Sequence, residues 1–497
     1  MVGFALAPET KRSASPQARA VEWSDRKRRI HQHCEALAGQ RPAWIAKNSY
    51  YYGEDLAYMR FLIPEGARVL ELGCGIGDLL AGLAPSRGVG VDFSARTLEV
   101  ARRRHPDLDF HLADIENPDA LARQIDGQFD YIVLADTIGS LEDCQATLEA
   151  LHRYCHDRTR LIVAHYAYFW EPVLRLAELL GLKMPQEPQN ALSTADIANF
   201  LRLAGFEPIN REWRQLLPRR ALGLGPLINR YLATLPGLRR LALRSYVVGR
   251  SARRTSRVPN SASVIIPCRN ERGNIENAVR RLPRFCPDLE ILFVEGHSQD
   301  GTFAEIERVA KAYPERNIRY TQQEGIGKAD ATYKGFDMAS GEVLIILDAD
   351  LTMPPEQIPK FFHAICRGDG EFVNGSRLVY PMERQAMRFL NLLANQVFSW
   401  LFSWLLNQRY TDTLCGTKAL RKDDWQRLKI TRHYFGAFDP FGDFDLIFGA
   451  AKQQLKMVEV PIRYRSRVYG ETQISRFAHG WLLLKMVLVG YRKLKAF

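Results

Sequence analysis

Short apolar runs recur in two separate parts of the chain, 41–212 and 261–497, and each is followed by a polar or glycine-rich turn and then a helical pattern. In the first part these runs end RVLEL, GVGVD and YIVLAD, and in the second SVIIP, ILFVE and VLIILD. Buried strands that alternate with helices are typical of doubly wound sheets, whose ligands bind at the carboxyl ends of the strands. We therefore predict an α/β protein with two doubly wound domains.

This pattern divides the 497 residues into four segments. We predict an N-terminal extension over 1–40, a first α/β domain over 41–212, a basic connector and linker over 213–260, and a second α/β domain over 261–497. The end of the connector, GRSARRTSRVPNS, is polar and without periodicity, as interdomain linkers are. The length supports this division, because single hydrophobic cores stop growing at about 250–300 residues.

Composition narrows the setting in which the protein works. No apolar run reaches the roughly 18 residues that mark a membrane-spanning helix, so none is predicted. The N-terminus, MVGFALAPETKRSASPQ, lacks an apolar core followed by a small-residue cleavage site, so we predict no signal peptide. The eight cysteines include no CxxC pair, which fits a reducing cytoplasm better than a disulfide framework or a zinc site.

The net charge of +12 is concentrated between the two domains. Eleven arginines lie within Trp213–Asn260, and no aspartate or glutamate lies between Trp213 and Asn270. Leucines interleave with these arginines, which favours a basic amphipathic helix that binds anionic lipid. A solvated, arginine-rich connector is an equally weighted alternative. Because no recognition motif accompanies the charge, we predict no nucleic-acid partner.

A glycine-rich turn follows the first strand of the first domain. The segment ELGCGIG places Gly73, Gly75 and Gly77 where the backbone turns tightly into a helix and passes close to a ligand. Asp92 ends the next strand nineteen residues after Gly73, the spacing of an acid that binds ribose hydroxyls. Any nucleotide-binding sheet fits so far, but the spacing GxGxG disfavours a hydride-transfer dinucleotide site.

Two later acids, Asp114 and Asp136, complete a pattern that resembles the class I S-adenosylmethionine-dependent methyltransferases over about 48–206. The resemblance implies a Rossmann-like sheet with S-adenosylmethionine as cofactor. It implies that Glu71 and the glycines surround the methionine moiety, that Asp92 holds the ribose and that Asp114 lies beside the adenine. The residues expected at the cofactor are Glu71, Gly73, Gly75, Gly77, Asp92, Asp114 and Asp136.

The methyl acceptor leaves a weaker trace in the sequence, because an activated sulfonium needs mainly a well-placed acceptor. Asp136 is the stronger candidate for a group on the acceptor side. His165, Tyr166 and Tyr168 follow the apolar run LIVAH and are candidates to line the same pocket. A structural role is the commoner outcome for a single histidine at such a position.

In the second domain, the strand VLIIL is followed at once by Asp348 and Asp350. Two carboxylates at i and i+2 of a buried strand point the same way and repel each other unless a cation lies between them. Hard oxygen ligands suit Mg²⁺ or Mn²⁺, and such an ion neutralises a diphosphate leaving group. We therefore predict a divalent cation at Asp348 and Asp350, and consider a plain acidic surface turn the weaker alternative.

The second domain resembles the family 2 glycosyltransferases of the GT-A fold, most closely the polyprenyl-phosphate sugar synthases. The matching segments are PCRNE, SQDGT, GIGKADA, DADL, GSR, DTLCGTKAL and EVPIRYRSRVYGETQIS. The resemblance implies a nucleotide-sugar donor and a polyprenyl-phosphate-type lipid acceptor. It implies that Arg377 serves the acceptor phosphate and that Arg467 closes over the donor phosphates. The residues expected to hold the donor are Pro267, Arg269, Glu271, Glu295 and Asp348.

The sequence departs from this family pattern at two positions. Glu295-Gly296 stands where paired aspartates are common, and Thr352 stands where glutamine is common. An ionised lipid phosphate needs no general base to attack the sugar, so the resemblance implies direct displacement with inversion. A sugar-hydroxyl acceptor would need a carboxylate base, and Asp443 and Asp445 are candidates that keep this alternative open.

Two segments of the second domain predict amphipathic helices at a membrane interface. In 383–407, Asn and Ser residues spaced by four form one polar stripe on an otherwise apolar helix with two tryptophans. The segment WLLLKMVLVGYRKLKAF is apolar, too short to span, and followed by a basic tail. We predict peripheral attachment to the cytoplasmic face of an anionic membrane, and an integral-membrane partner is a further option.

Three functional hypotheses follow. The first is a bifunctional enzyme that transfers sugar and methyl groups in one lipid or glycan pathway. The second limits catalysis to the second domain, with the first a non-catalytic binding module. The third, a non-enzymatic membrane scaffold, ranks last because the acids and glycines of both patterns are intact.

Overall fold

The structure is a computed structural model that describes residues 23–253, 257–380, 389–435, 442–465, 467, 469 and 476–497. Two mixed sheets of seven strands each form its framework. Helices cover both faces of each sheet, so the strand interiors are buried almost throughout. The predicted α/β class with two doubly wound sheets is confirmed.

The first sheet has the strand order β3-β2-β1-β4-β5-β7-β6. Its strands are β1 (Arg68–Leu72), β2 (Arg87–Asp92), β3 (Asp109–Leu112), β4 (Phe129–Ala135), β5 (Cys155–Tyr166), β6 (Phe206–Arg214) and β7 (Arg244–Ser251). All neighbours pair in parallel except β7, which is antiparallel to both β5 and β6. The strand order reverses between β1 and β4, which is where such sheets bind ligands.

Ten helices accompany this sheet within the described residues. They are α1 (Asp25–Leu37), α2 (Arg41–Lys47), α3 (Ser49–Leu62), α4 (Asp78–Gly82), α5 (Ala95–Arg104), α6 (Pro118–Gln124), α7 (Cys144–Ala150), α8 (Glu171–Leu179), α9 (Thr194–Leu203) and α10 (Leu224–Leu227). Successive residues of β1 pack into different cores: Val69 joins Met59 and Leu98 on one face, and Leu70 joins Leu148 on the other. This alternation explains why the strand is apolar on both sides.

The second sheet has the order β10-β9-β8-β11-β13-β12-β14. Its strands are β8 (Ser261–Cys268), β9 (Asp288–Glu295), β10 (Asn317–Gln322), β11 (Val343–Ile346), β12 (Phe372–Ser376), β13 (Lys418–Arg421) and β14 (Met457–Pro461). Strand β13 runs antiparallel to β11 and β12, and the other neighbours are parallel. Its helices are α11 (Ile275–Arg281), α12 (Thr302–Ala312), α13 (Lys328–Met338), α14 (Ile358–Arg367), α15 (Phe389–Leu406), α16 (Lys422–Thr431), α17 (Asp443–Lys452) and α18 (Arg476–Gly490).

The segment 213–260 differs from the connector that the sequence predicts. It contributes strand β7 to the first sheet, and α10 is the only α-helix within its described residues. Its charge also has interior partners, because Arg244 is buried against Asp55 and Arg250 pairs with Glu207. These partners lie far away in sequence, so the composition of the segment does not reveal them. The arginines alone therefore predicted a lipid-facing or solvated segment.

The two halves share a buried polar interface. Arg160 of β5 donates two 2.8 Å hydrogen bonds from Nη2 to the carboxylate of Glu371 and one 2.9 Å bond from Nε to the Gln454 carbonyl. Lys495, expected in a basic tail at the membrane, is instead buried in an ion pair with Glu212 of β6. The end of the second half is therefore docked on the first.

None of the helices within the described ranges combines the length and the apolar character that crossing a bilayer requires.

Candidate active sites

The turn between β1 and α4 is fixed by its glycines and by Asp92. Gly73 has φ of 73°, and a Cβ atom there would overlap the Thr137 hydroxyl, so a side chain is excluded on two counts. The backbone N–H of Gly75 donates to Asp92 Oδ2 at 2.9 Å, and Ser94 N–H donates to Oδ1 at 3.0 Å. Asp92 thus joins the ends of β1 and β2, and the turn closes at Gly77, the residue before α4.

Glu71 is a buried acid with spare hydrogen-bonding capacity. Only 3% of its surface is exposed, and within the described residues Oε2 has no hydrogen-bond partner. Burial raises the pKa of Glu71 to about 8. A buried carboxyl group that holds its proton near neutral pH favours a cationic partner, since only a nearby positive charge would stabilise the ionised form.

Asp114 lies at the same edge of the sheet and is already bound by the N-terminal helix. Trp23 donates from Nε1 to Asp114 Oδ2 at 2.9 Å, and Lys27 lies 2.7 Å from the same carboxylate. The Trp23 ring also packs 5.9 Å from that of Phe93. The sequence analysis missed Trp23 and Lys27, because no motif marks them and about ninety residues separate them from Asp114.

The residues predicted for the acceptor side lie at the ends of β4 and β5. Asp136 has φ of 57°, an unusual conformation for a residue with a side chain, and its carboxylate pairs with buried Arg244. His165 is buried, and within the described residues its Nδ1 has no partner. Burial lowers the pKa of His165 to about 4, so the ring is neutral near pH 7.

In the second half, three parallel strands bring their carboxyl ends together. The register pairs Cys268 of β8 with Glu295 of β9, and Ile346 of β11 with Ile265 of β8. The turns that follow these strands each contain a non-glycine residue with positive φ: Asn270, His297 and Leu351. Such strained positions persist only where surrounding contacts hold them, and they cluster at functional sites.

Asp348 and Asp350 follow β11 in a turn rather than lying on the strand itself. Lys328 at the start of α13 binds Asp348 at 2.5 Å, and Arg467 binds Asp350 Oδ2 at 2.8 Å. Burial raises the pKa of Asp348, but the cation of Lys328 outweighs it and holds the pKa below its usual range. Lys328 therefore favours the ionised form of Asp348, and each of the two acids faces a positive charge.

Two neighbours define this acidic turn further. The N–H and the hydroxyl of Thr352 donate to Asp350 Oδ1 at 3.1 and 2.8 Å, so the threonine at the departure from the family pattern orients the acid. A Cβ atom on Gly416, in DTLCGTKAL, would overlap the Asp348 carboxylate and the Lys328 ammonium. The glycine allows strand β13 to approach the acids closely.

The predicted donor-binding residues lie around the same edge. Glu271 lies 3.3 Å from Arg467 and accepts from Asn274 Nδ2 at 2.7 Å. Glu295 is buried, and its two oxygens accept from the Ser298 N–H and the Gln322 amide.

Of the other two, Pro267 is half-buried and Arg269 exposed. Glu295 thus holds its own turn in place, and Arg269 is more accessible to a ligand than Glu295 is.

The remaining predicted residues have firm partners. Arg377 binds Asp412 through Nε and Nη2, both at 2.7 Å, and stacks over the Tyr464 ring at 5.2 Å. Asp443 accepts at 2.7 Å from Lys418, whose side chain is fully buried. Lys328 was not predicted as a site residue, although GIGKADA was singled out, because nothing in that segment shows that its lysine reaches the acids.

Comparison with protein families now assigns each half. Residues 44–210 match the family model described as a methyltransferase domain, and residues 263–425 match that of glycosyl transferase family 2. The chain joins a methyltransferase domain to a family 2 glycosyltransferase domain. The two sites described above fall in these two domains, one in each.

Relatives of the glycosyltransferase domain are named as lipid-phosphate mannosyltransferases. A dolichol-phosphate mannosyltransferase of Pyrococcus furiosus is 31% identical over 218 residues, 43% of this chain and 59% of that protein's length. A polyprenol monophosphomannose synthase of Mycolicibacterium smegmatis is 29% identical over 227 residues, 44% of this chain and 83% of that protein. The chain thus spans less than two thirds of the Pyrococcus relative.

Among solved structures, a methyltransferase of Thermotoga maritima aligns with a TM-score of 0.35 and 19% identity, covering 44% of this chain and 99% of that chain. Glucosyl-3-phosphoglycerate synthase of Mycobacterium tuberculosis, solved with Mn²⁺ and UDP, aligns with a TM-score of 0.35 and 16% identity. The aligned region covers 47% of this chain and 80% of the synthase chain.

The residues of the methyltransferase site fit S-adenosylmethionine. The ligand carries an ammonium and a sulfonium, and Glu71 offers an unpartnered buried oxygen. A carboxylate has about four lone-pair positions, so Asp92 keeps acceptor capacity beyond its two backbone contacts. Asp114 fits less well in the described state, because Trp23 and Lys27 already occupy it.

The acidic turn of the glycosyltransferase site fits a divalent cation. No group of three or more His, Cys, Asp or Glu side chains poised for a metal occurs among the residues described. Mg²⁺ in nucleotide enzymes commonly takes only one or two carboxylates and completes its shell with substrate phosphates and water. Two neighbouring acids at the carboxyl edge, Asp348 and Asp350, would supply that donor set.

Proposed function

We propose that the glycosyltransferase domain transfers a sugar from a nucleotide-sugar to a polyprenyl-phosphate-type lipid with inversion. We further propose that the methyltransferase domain uses S-adenosylmethionine to methylate an acceptor of the same glycan or lipid pathway. One observation supports the first part above all: two acids face two cations at the edge where three parallel strands end. The names of the curated relatives support the same acceptor class.

Charge neutralisation drives the proposed sugar transfer. A phosphate oxygen of the lipid forms a bond to the anomeric carbon while the bond from that carbon to the diphosphate breaks. Both electrons of the broken bond leave with the nucleoside diphosphate. A divalent cation held by Asp348 and Asp350 would neutralise that leaving group. Lys328 and Arg467, already beside these acids, supply further positive charge for the donor phosphates.

The acceptor phosphate needs a cation but no base. Arg377 is oriented rigidly by Asp412, and a guanidinium has five donors, of which that pair uses two. It is our candidate for holding the lipid phosphate. The candidate bases for a hydroxyl acceptor are less suited, because Asp443 is bound by buried Lys418 and Asp445 accepts from Tyr333. The lipid phosphate is therefore the favoured acceptor.

The methyltransferase site supports a displacement at carbon without strong catalytic groups. S-adenosylmethionine, when bound, supplies an activated methyl group. Glu71 and Asp92 would hold and orient the cofactor, and Asp136 with Arg244 borders the acceptor side. His165 is neutral, and its Nδ1, which has no partner among the described residues, is available to hydrogen-bond a hydroxyl or amine acceptor.

We also propose that the protein attaches peripherally to the cytoplasmic face of a membrane through α15 and α18. Helix α15 buries Phe402 and Leu405 in the core but exposes Val397 and Trp400. Ser399 and Ser403 of its polar stripe face the protein, where both hydroxyls donate to the Tyr410 carbonyl. Apolar surface with tryptophan at a bilayer interface is typical of such attachment.

The sugar-transfer proposal is tested with the full chain, Mn²⁺, polyprenyl phosphate in detergent and a panel of labelled nucleotide-sugars. We expect label in an organic-soluble, mild-acid-labile product with at least one donor, and none with Asp350→Ala. Label that enters only water-soluble or protein-bound products would overturn the lipid-phosphate assignment. Calorimetry with S-adenosylmethionine tests the other domain, and a folded protein that gives no heat would support the binding-module hypothesis.

A further inference from the structure

Helix α8 lies on the surface of the methyltransferase domain with no buried residue. Leu176 and Leu179 are 56% and 85% exposed, and Val173 is exposed as well. A nine-residue helix is marginally stable alone and normally gains its stability by packing an apolar face. Its exposed leucines therefore indicate a partner that the folded chain itself does not provide.

The exposed face of α8 continues across the domain boundary. Trp170, just before α8, donates to the Leu241 carbonyl at 3.0 Å. Thr234 of the same 221–241 segment accepts from Trp404 of α15 at 3.0 Å. Tyr491, directly after α18, donates to the Tyr231 carbonyl at 2.9 Å. Helix α8, segment 221–241, α15 and α18 are thus linked in series by hydrogen bonds, and we consider their exposed side chains together as one surface.

This surface, which we call the docking face, is defined by six exposed apolar side chains. They are Leu176, Leu179, Leu222, Leu227, Trp400 and Trp481. Single exposed apolar residues are ordinary, but several on neighbouring elements, with tryptophans among them, are typical of an interaction surface.

The charges along the docking face are basic. Arg219, Arg220 and Arg240 are exposed in the 221–241 region, and Lys485 is exposed on α18 beside Leu484. The two acids of α8, at positions 171 and 178, are neutralised by Arg175 and Lys183. Apolar side chains interleaved with cations complement the headgroups and acyl chains of an anionic bilayer.

The docking face also borders the acceptor side of the methyltransferase site. Strand β5 ends at Tyr166, next to His165, and α8 begins five residues later. The Tyr166 hydroxyl donates at 3.0 Å to Glu171, the first residue of α8. A surface that seats α8 would therefore lie beside the acceptor pocket.

We infer that α8 and segment 221–241 dock the methyltransferase domain itself on an anionic bilayer, in continuity with α15 and α18. This inference rests on the proposed membrane attachment and extends it to the other domain. It makes the methyl acceptor a molecule presented from the membrane, since Tyr166, beside His165 on the proposed acceptor side, contacts the first residue of the docked helix.

Vesicle binding of the full chain tests the inference. Flotation with vesicles of phosphatidylglycerol and phosphatidylcholine compares wild type with Leu176→Glu/Leu179→Glu. A matched control, Leu203→Glu/Val258→Glu, adds the same charge at exposed apolar positions outside the docking face. We expect the vesicle partition coefficient of the α8 variant to fall at least about tenfold and that of the control to change less than about twofold. Equal loss in both variants, or none in either, overturns the inference.

A second measurement guards against a misfolded variant. In Leu176→Trp, the fluorescence of the new indole should be quenched by dibrominated phosphatidylcholine in phosphatidylglycerol vesicles. The control is Arg103→Trp, at an exposed residue of α5, which should show no more quenching than wild type. Equal quenching at the two positions contradicts the inference. A dimer that forms without vesicles and is abolished by Leu176→Glu/Leu179→Glu would identify a second copy of the chain as the partner, which also overturns it.

Calorimetry with S-adenosylmethionine separates this inference from the proposed function. If the cofactor binds but α8 contributes nothing to vesicle binding, only the docking inference fails. If α8 is needed for vesicle binding but the cofactor gives no heat, the docking face remains and the methyltransferase activity fails.

Discussion

The two sites of this chain treat charge in opposite ways. In the methyltransferase domain, Glu71 and His165 are buried, and among the described residues each has one polar atom without a partner; burial shifts both pKa values toward the neutral form, to about 8 and about 4. In the glycosyltransferase domain, Asp348 and Asp350 are held against Lys328 and Arg467. The first environment suits the cationic cofactor that we propose, and the second suits a polyphosphate and its metal.

This difference follows the chemistry that we propose for each half. Methyl transfer from a sulfonium consumes a positive charge, so a site of low polarity favours it. Sugar transfer from a nucleotide-sugar creates a diphosphate anion, so fixed positive charge must already surround the leaving group. One chain can hold both environments because each sheet has its own cores and its own carboxyl edge.

Asp350→Ala is the substitution expected to affect the two sites most differently. Loss of this acid removes a proposed metal ligand and one of the two acids beside Arg467, so sugar transfer should fall by about 10²–10³-fold or more. The dissociation constant for S-adenosylmethionine should stay within about twofold of wild type. Asp288→Ala, an exposed acid at the opposite end of β9, is the matched control and should leave both unchanged.

Gly73→Ala makes the converse change in the methyltransferase domain. The added Cβ atom overlaps Thr137 at a left-handed backbone position, so cofactor affinity should fall by about 10²-fold while sugar transfer is retained. Calorimetry measures the affinity. Gly53→Ala, which has open space around its Cβ position, serves as control. Wild-type affinity in Gly73→Ala would show that the cofactor does not approach this turn.

A third change tests whether the halves are independent. Arg160→Met leaves Glu371 buried without its bidentate partner, which should destabilise the interface by about 3–5 kcal/mol. Wild type should unfold in one calorimetric transition and Arg160→Met in two. Arg175→Met, at an exposed ion pair, should behave as wild type. A single unshifted transition in Arg160→Met would mean that the buried pair does not couple the domains.

The smallest expected effect concerns pH. Because burial raises the pKa of Glu71 from 4.5 to about 8, folding favours the protonated form, and wild type loses stability progressively as the pH rises from about 4.5 to about 8. Without cofactor, the stability advantage of Glu71→Gln over wild type should therefore grow by about 2–3 kcal/mol between pH 6 and pH 9. Urea unfolding at the two pH values measures this. Identical pH dependence in both proteins would contradict the raised pKa.

Glu71 should also make the affinity for the cofactor depend on pH. A cationic ligand favours the ionised form of Glu71, so binding should release protons below pH 8 and tighten as the pH rises from about 6 to 8. Calorimetry in buffers of different ionisation enthalpy measures the protons released. No proton release at pH 7 would place the cofactor's cationic groups away from Glu71.

Much of the architecture was predictable because the candidate functional acids lie at or directly after the ends of strands. The acids Asp92, Asp348 and Asp350 follow apolar runs, and parallel strands place such ends at one edge. Lys328, by contrast, approaches Asp348 from a different helix, and no spacing in sequence encodes that distance. Its role could be found only from the folded arrangement.

The basic segment between the domains shows the limit most clearly. From the sequence alone, Arg244 and Arg250 would be assigned to the surface. In the fold they lie near the two ends of β7 and pair with acids from distant parts of the chain. Lys495 is buried against Glu212 for the same reason, although it belongs to an apparently basic tail. Composition records the excess of charge and does not record which cations have interior partners.

The central claim is that two separate transfer sites work in one chain, and a double-label experiment tests it most directly. The full chain receives S-adenosylmethionine with a labelled methyl group, a differently labelled nucleotide-sugar, Mn²⁺ and membranes that contain polyprenyl phosphate. We predict both labels in organic-soluble product with wild type, only the methyl label with Asp350→Ala, and only the sugar label with Gly73→Ala. Loss of both labels in either variant, or no sugar label with wild type, would contradict the account.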